Sequence, residues 1–470
     1  MILVLCCLAQ FMVILDVSVV NVALPSIRNH LGFTEADLQW VVNAYTVTFA
    51  GFLLLGGRAA DLLGRRRVFV FGLLLFAAAS LVGGLSNSQA MLVIARGVQG
   101  LGGAIVAPAT LSILTTTFSE GPERNRALAA WGAMGGAGGA TGVLVGGILT
   151  DLLGWQWILF INVPIGVIAA IAAMRLIPES TRAAAGERQF DVAGAVSVTA
   201  GLVVLTYAIV RTDVNGWTSP ETLLVAGAGL ALLVAFVAIE RHASRPLVPL
   251  QIFSSRVLTA ANVVVFMLGS SVFAMWYFVS LYLQQVLGYS PIRAGIAFLP
   301  MPLAIVAAST VAGRAAARVG AGRLLAGGMG LIAIGMVLFA RVAADGTYLG
   351  DVLLPAVITA TGIGFAFVPV TIAATTGVER SQAGLASGLV NTSRQVGGSI
   401  GLAVLATLAT QHTTAVAGSG PVDAAALTAG FHRAFLVGAG FALIGSLVAA
   451  VVLAPRRVSA PRPAPAHAET

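Results

Sequence analysis

Fourteen stretches of about 20 mainly apolar residues account for nearly all of this chain, and about 20 residues of helix is what a hydrocarbon core of about 30 Å requires. In lipid, backbone donors and acceptors must be paired inside the spanning element, so only helices or closed barrels qualify. These runs are too long and too uniformly apolar for the alternating strands of a barrel. Spans are therefore predicted at 1–25, 38–58, 68–86, 90–117, 127–150, 156–177, 192–211, 221–240, 256–287, 292–318, 323–341, 351–377, 381–409 and 430–454. The expected fold class is an all-α integral membrane protein. With 58% hydrophobic and only 9% charged residues, the loops leave no room for a soluble enzymatic domain.

All 26 basic residues are Arg. With the amino terminus placed in the cytoplasm, nineteen fall on the inner side and only Arg28, Arg211, Arg293, Arg341 and Arg433 outside, which satisfies the positive-inside rule. An even number of spans then returns the carboxyl terminus to the cytoplasm. The net charge of +8 is a consequence of topology, and Arg residues spread over successive short loops form no nucleic-acid patch. Cys6 and Cys7 are adjacent and lack metal-ligand partners, so they are read as packing residues. The first run has neither a basic start nor a small-residue cleavage site and is read as a retained helix.

A polar turn, Gly57-Arg-Ala-Ala-Asp61-Leu-Leu-Gly64-Arg65-Arg66-Arg67, recurs in frame as Gly313-Arg-Ala-Ala-Ala-Arg-Val-Gly320-Ala-Gly-Arg323. Aligning the two turns pairs spans 1–6 with spans 9–14 and leaves spans 7 and 8 as an insertion. Such repeats are characteristic of secondary transporters. The expected organisation is a six-helix bundle over 1–177, a linker with two inserted spans over 178–250, a second six-helix bundle over 251–454, and a Pro-rich, disordered tail over 455–470. The longest stretches outside lipid besides the tail are predicted at 178–191 and 411–430.

Asp16 falls roughly 20 Å into the first span at 1.5 Å per residue. A carboxylate at that depth costs several kcal/mol unless it meets a wet cavity, a partner or a proton. It is either a proton-coupling acid or a structural acid held by Ser18 and Asn21. Arg96, in span 4, shares a face with Gln99, Gly100 and Gly103. Its counter-ion is Asp16, the only deep carboxylate of the first half, unless it snorkels to the outer interface. Asp61 is read with Gly57, Gly64, Arg65 and Arg66 as a cytoplasmic latch, docking on a guanidinium or on the start of span 13 near Ser381. The alternative is a solvated loop that only signals topology. Span 5 is dense in glycine, which fits either a moving interface or static close packing.

A second deep cation, Arg394, follows Asn391 in span 13, and no acid occupies the interior of spans 9–14. It must pair with hydroxyls, amides, carbonyls, water or Asp16, or with an anionic group of a substrate. Together with these two, Asn21, Tyr45, Gln99, Trp131, Trp276, Tyr277 and Gln284 are the candidate cavity residues, because flat apolar faces and a few amides suit large organic molecules. Trp155 and Trp157 are read as interfacial anchors.

Leu15 to Ile27, Gly57 to Arg67 and Leu92 to Ala104 resemble the helix 1, loop 2–3 and helix 4 motifs of the major facilitator superfamily, in its fourteen-span drug:proton antiporter branch. Trp155 to Gly166 and Tyr282 to Pro291 are similar to segments of the same exporters. The resemblance implies the major facilitator fold, with two six-helix bundles and two inserted helices. It also implies export of drug-like or antibiotic compounds by alternating access, with a proton gradient as energy source and no cofactor. Val143 stands where the helix 5 motif of such antiporters carries Pro, and the second half lacks the membrane acids of relatives that expel divalent organic cations. Neutral, zwitterionic or monocationic substrates are expected.

The expected partners are a small-molecule substrate, protons and membrane lipid, with the chain acting as a monomer in a bacterial plasma membrane. A dedicated exporter of one endogenous metabolite or self-made antibiotic is the competing transporter reading. A membrane sensor has no signalling domain to support it. An enzyme has no clustered His or metal constellation, since His30, His242, His412, His432 and His467 lie near ends, loops or tail.

Overall fold

The computed structural model describes residues 1–118, 122–178, 191–243, 246–375 and 383–453. Among them the regular structure is helical throughout. Fourteen helices are long and apolar enough to cross a membrane: α1 Ile2–Leu31, α2 Glu35–Ala60, α3 Arg65–Gly84, α4 Gln89–Thr117, α5 Arg126–Leu152, α6 Trp157–Leu176, α7 Val192–Thr212, α8 Pro220–His242, α9 Arg256–Val286, α10 Pro291–Ala316, α11 Ala321–Phe339, α12 Tyr348–Val370, α13 Gly388–Ala417 and α14 Ala424–Leu453. The predicted tail and most of the 178–191 linker lie outside the described residues.

The repeated turn is built twice with the same backbone. Gly64 has φ 101° and ψ 126°, and Gly320 has φ 92° and ψ 137°, a region costly for any side chain. Packing repeats as well. The pairs α1/α5, α2/α4, α3/α4 and α3/α6 have counterparts in α9/α13, α10/α12, α11/α12 and α11/α14. The inserted α7 packs on α8 and touches α2 of the first bundle and α13 of the second. Its carbonyls at Ile209 and Thr212 accept from Thr407 (3.3 Å) and Gln411 (2.9 Å) of α13. By contrast only 11% of the residues along the apolar stretch of α8 are buried, which leaves most of its surface uncovered by the rest of the chain.

Two helix ends differ from expectation. The first span is expected over 1–25, yet α1 runs through Pro25 to Leu31 and stops at Gly32, which is left-handed at φ 69°. Its carbonyls near the proline find donors elsewhere. The outer loop expected over 411–430 shrinks to 418–423, because α13 carries its Thr-rich end beyond the apolar run and Asp423 caps α14 through the Ala426 N–H at 2.8 Å.

The bundles meet unevenly. At the end opposite the Arg-rich loops, residues of α1, α2 and α5 share one apolar core with α9, α10, α12, α13 and α14. Towards the Arg-rich end the first bundle keeps a separate core that, among the described residues, none of the second bundle joins. There α2 and α13 still run side by side, with the Cβ direction of Gly388 2.9 Å from the Leu54 side chain. The seam at the end opposite the Arg-rich loops is close enough to need glycine. A Cβ on Gly295 would sit 2.5 Å from the Val143 carbonyl oxygen, and one on Gly147 2.5 Å from that of Pro291. This conformation is shut at the end opposite the Arg-rich loops.

Candidate functional site: a buried ion pair and the seam between bundles

Five helices converge on Asp16, which is fully buried. Arg96 Nη1 donates to its Oδ2 at 2.6 Å. Gln99 Nε2 and Asn162 Nδ2 donate to Oδ1 at 2.7 and 2.8 Å. The same Gln99 accepts from Arg96 at 2.7 Å and donates to Ser80 Oγ at 2.6 Å. Arg96 also donates through Nε to the Val41 carbonyl (3.0 Å), and its guanidinium lies 4.6 Å over the Tyr45 ring. Helices α1, α2, α3, α4 and α6 are thus joined by one polar knot inside the first bundle.

The knot settles which partners the deep charges take. Asp16 is held by Arg96 and two amides, not by Ser18 and Asn21. Ser18 donates to the Leu15 and Gly138 carbonyls, and the Asn21 amide to that of Val17. Arg96 does not snorkel, being only 2% exposed. Asn162 and Ser80 were not singled out by the sequence reading. Asn162 lies inside the Trp155 to Gly166 segment, but its signal, a lone amide in an apolar helix, needs the fold to find its acid. Such a pair has little net worth against an apolar replacement, yet removing one partner strands a buried charge at about 3–5 kcal/mol.

Among the described residues, the expected cavity residues fall at several separate places. Tyr45 and Gln99 belong to the knot. Asn21 and Gln284 sit at the seam, where Ser280 Oγ donates to the Asn21 carbonyl at 2.6 Å and Gln284 Nε2 to that of Val22 at 2.9 Å. Trp276 stacks on Phe298 with centroids 5.3 Å apart. Trp131 is half-buried and donates to Thr110 Oγ1 at 2.9 Å. Tyr277 lines a cleft of about 510 Å³ between the bundles at the end opposite the Arg-rich loops, with Phe33, Phe278, Thr413 and the paired Arg28 and Glu35.

Arg394 donates to Asn391 Oδ1 at 2.7 Å and lies 5.1 Å over the Phe367 ring, while its Nε is buried without a hydrogen-bond partner. It does not reach Asp16, whose pairing is complete within the other bundle. Of the span 5 glycines, Gly138, Gly142 and Gly146 pack against α1 inside the bundle, and Gly147 faces α10 of the other. Static packing and the inter-bundle seam thus divide the stripe between them.

At the Arg-rich end, Arg65 Nε donates to Ser112 Oγ at 2.7 Å and Arg66 Nη1 to the Ile177 carbonyl at 3.4 Å. Both arms reach back onto their own bundle. Ser381 lies outside the described residues, and of Asp61 only the main chain is described, so the expected latch between them lies outside the described residues too.

Residues 6–402 match the family model of the Major Facilitator Superfamily. The chain belongs to that superfamily. It is 43% identical over 408 residues to the cephamycin export protein CmcT of Amycolatopsis lactamdurans, covering 86% of this chain and 84% of that protein. It is 38% identical to the puromycin resistance protein pur8 of Streptomyces alboniger, over 95% of this chain and 88% of that one. The lincomycin resistance protein of Streptomyces lincolnensis is 34% identical over 96% and 91%. A solved peptide transporter POT in complex with sulfate superposes with a TM-score of 0.69, covering 95% of this chain and 93% of that one at 16% identity, a likeness of fold alone. The superfamily expected from the motifs is the one found, and a membrane transporter rather than an enzyme is what membership means.

Proposed function

We propose that this major facilitator transporter exports drug-like organic compounds in exchange for protons, with Asp16 as the group that gains and loses the proton. The Arg-rich face and both termini lie in the cytoplasm of a bacterial plasma membrane. The observation that carries the reading is the buried carboxyl group of α1, which accepts hydrogen bonds from Arg96, Gln99 and Asn162. A proton on Asp16 cancels its attraction to Arg96 and turns an acceptor into a donor, so that it faces Arg96, Gln99 and Asn162 with too few acceptors. The knot then loosens between α1 and α4. Five and six residues further along α1, about 8 Å by helical rise, are the carbonyls that hold the outer seam. Protonation and outer opening therefore act on the same helix. A proton and a substrate that prefer different packings of that helix compete through its population.

The drug-like substrate class is supported by relatives named for cephamycin, puromycin and lincomycin. Those names, each of a single antibiotic, also favour a second reading, a transporter dedicated to one compound. The test is uptake of puromycin and other antibiotics into inverted vesicles with an imposed pH gradient. Accumulation that a protonophore abolishes is expected, and accumulation indifferent to the protonophore overturns the coupling. A panel in which only one compound moves selects the dedicated exporter.

Arg394 gives a further expectation. Among the described residues no acid pairs with its guanidinium, so it suits the anionic part of a zwitterion. Arg394→Gln is expected to raise the KM for zwitterionic substrates about tenfold while leaving neutral ones within about twofold, as for loss of one charged hydrogen bond. Equal effects on both classes in vesicle uptake would remove it from recognition.

A further inference from the structure

The outer seam contains a contact made by the main chain of α1, and its cause is a proline. Pro25 lies inside α1 and has no N–H, so the carbonyl four residues earlier, that of Asn21, has no intrahelical donor. Away from water an unpaired carbonyl is costly. The missing donor comes from the other bundle: Ser280 Oγ of α9, itself fully buried, stands 2.6 Å from the Asn21 oxygen. One turn on, Gln284 donates to the next carbonyl, Val22, at 2.9 Å and to Ser280 Oγ at 3.1 Å. Gln284 is placed there by a local change of winding, since α9 becomes a π-helix over Tyr282–Val286.

We propose that Pro25, Ser280 and Gln284 form the outer clamp of the transport cycle, in which a carbonyl freed by the proline on one bundle is the acceptor that keeps the other bundle closed over the pathway. The Asn21 carbonyl cannot re-pair within its own helix, so the bundles part only when water entering from outside replaces Ser280. Opening and wetting of the seam are one event. The other polar contact here, Ser399 Oγ to Asn43 Oδ1 at 3.3 Å, joins two side chains that can turn to other partners. The glycine contacts of α5 and α10 are steric. Ser280 and Gln284 are positioning residues that set the balance between conformations and take no proton.

The exporter reading supplies only the direction of transport, and the test uses no flux. Spin labels are placed at Asn29→Cys and Val422→Cys, two exposed outer positions on opposite bundles, in full-length protein carrying Cys6→Ala and Cys7→Ala. Distances are measured by double electron–electron resonance in lipid. Ser280→Ala with Gln284→Leu is expected to raise the long-distance, outward-open population about tenfold, as for loss of two buried hydrogen bonds. Pro25→Ala returns an N–H to the helix and is expected to shift the population the same way with every side-chain donor intact. Ser271→Ala deletes a bond of the same kind inside the second bundle, to the Gly438 carbonyl at 2.9 Å, and is expected to leave the distances unchanged. Unchanged distances in both clamp variants, or an equal shift in Ser271→Ala, overturn the clamp. Because protonophore sensitivity is a separate measurement, failure of the clamp and failure of proton coupling are distinguishable.

Discussion

Asp16→Asn is expected to abolish uphill export and to destabilise the protein by about 3–5 kcal/mol, and adding Arg96→Gln is expected to restore most of the stability and none of the transport. The asymmetry comes from the geometry. With Asp16 replaced by an amide, the Arg96 guanidinium stays buried against Val41 and Tyr45 with no counter-charge. Removing that charge too leaves four amides and a serine, a group able to satisfy itself without an ion. Thermal unfolding of the two single variants and the double in one detergent gives the coupling between the sites. Uptake into vesicles with an imposed pH gradient gives the function. A double variant as unstable as the sum of its singles would show that the pair is not energetically joined. Full uphill export by Asp16→Asn would remove the acid from the coupling mechanism whatever the stability data say.

The fold was legible because each part of it rests on a local signal. Apolar length gave fourteen helices, and the two glycine-arginine turns gave the duplication that the matching backbone angles of Gly64 and Gly320 bear out. The pairing of Asp16 with Arg96 was legible by elimination, since the first half holds one deep acid and one deep base. What the sequence hid were relations that depend on how helices face each other. Asn162 and Ser80 complete the knot from α6 and α3, and nothing in their own segments marks them as partners of α1. Tyr45 and Gln99 were placed in a cavity because they are polar or aromatic at mid-span, and burial within one bundle puts them elsewhere. Pro25 shows the same limit in another form. In the sequence it is only the last residue of a span expected over 1–25. Inside a helix that continues for six more residues, it frees a carbonyl, and only the neighbouring bundle shows what that carbonyl is for.

Gly295→Leu is expected to leave a folded protein that exports almost nothing, whereas Gly100→Leu is expected to yield little folded protein at all. Both glycines lie where helices nearly touch, but on different sides of a boundary. A Cβ at Gly100 would stand 2.2 Å from Thr48 Oγ1 and 2.3 Å from the Tyr45 carbonyl, within the first bundle and one turn from Arg96. To admit a side chain there, α2 and α4 must separate, and with them the contacts that bury the ion pair. Overpacking of this kind costs 1–3 kcal/mol where neighbours can shift, and more where, as here, the neighbour is backbone. At Gly295 the clash is with the Val143 carbonyl of the other bundle, at 2.5 Å. The strain is relieved by parting the two bundles at their outer end, a motion the transport cycle already contains, so the cost falls on the closed state and not on the fold. Size-exclusion profiles should therefore be normal for Gly295→Leu and depleted for Gly100→Leu, and outer-face spin-label distances in Gly295→Leu should be long. Such a protein is held open to the outside and cannot return to collect substrate from the Arg-rich side. A Gly295→Leu variant that pumps normally would show that the α5–α10 contact does not form during the cycle, and one that fails to fold like Gly100→Leu would place it among the permanent contacts of the molecule.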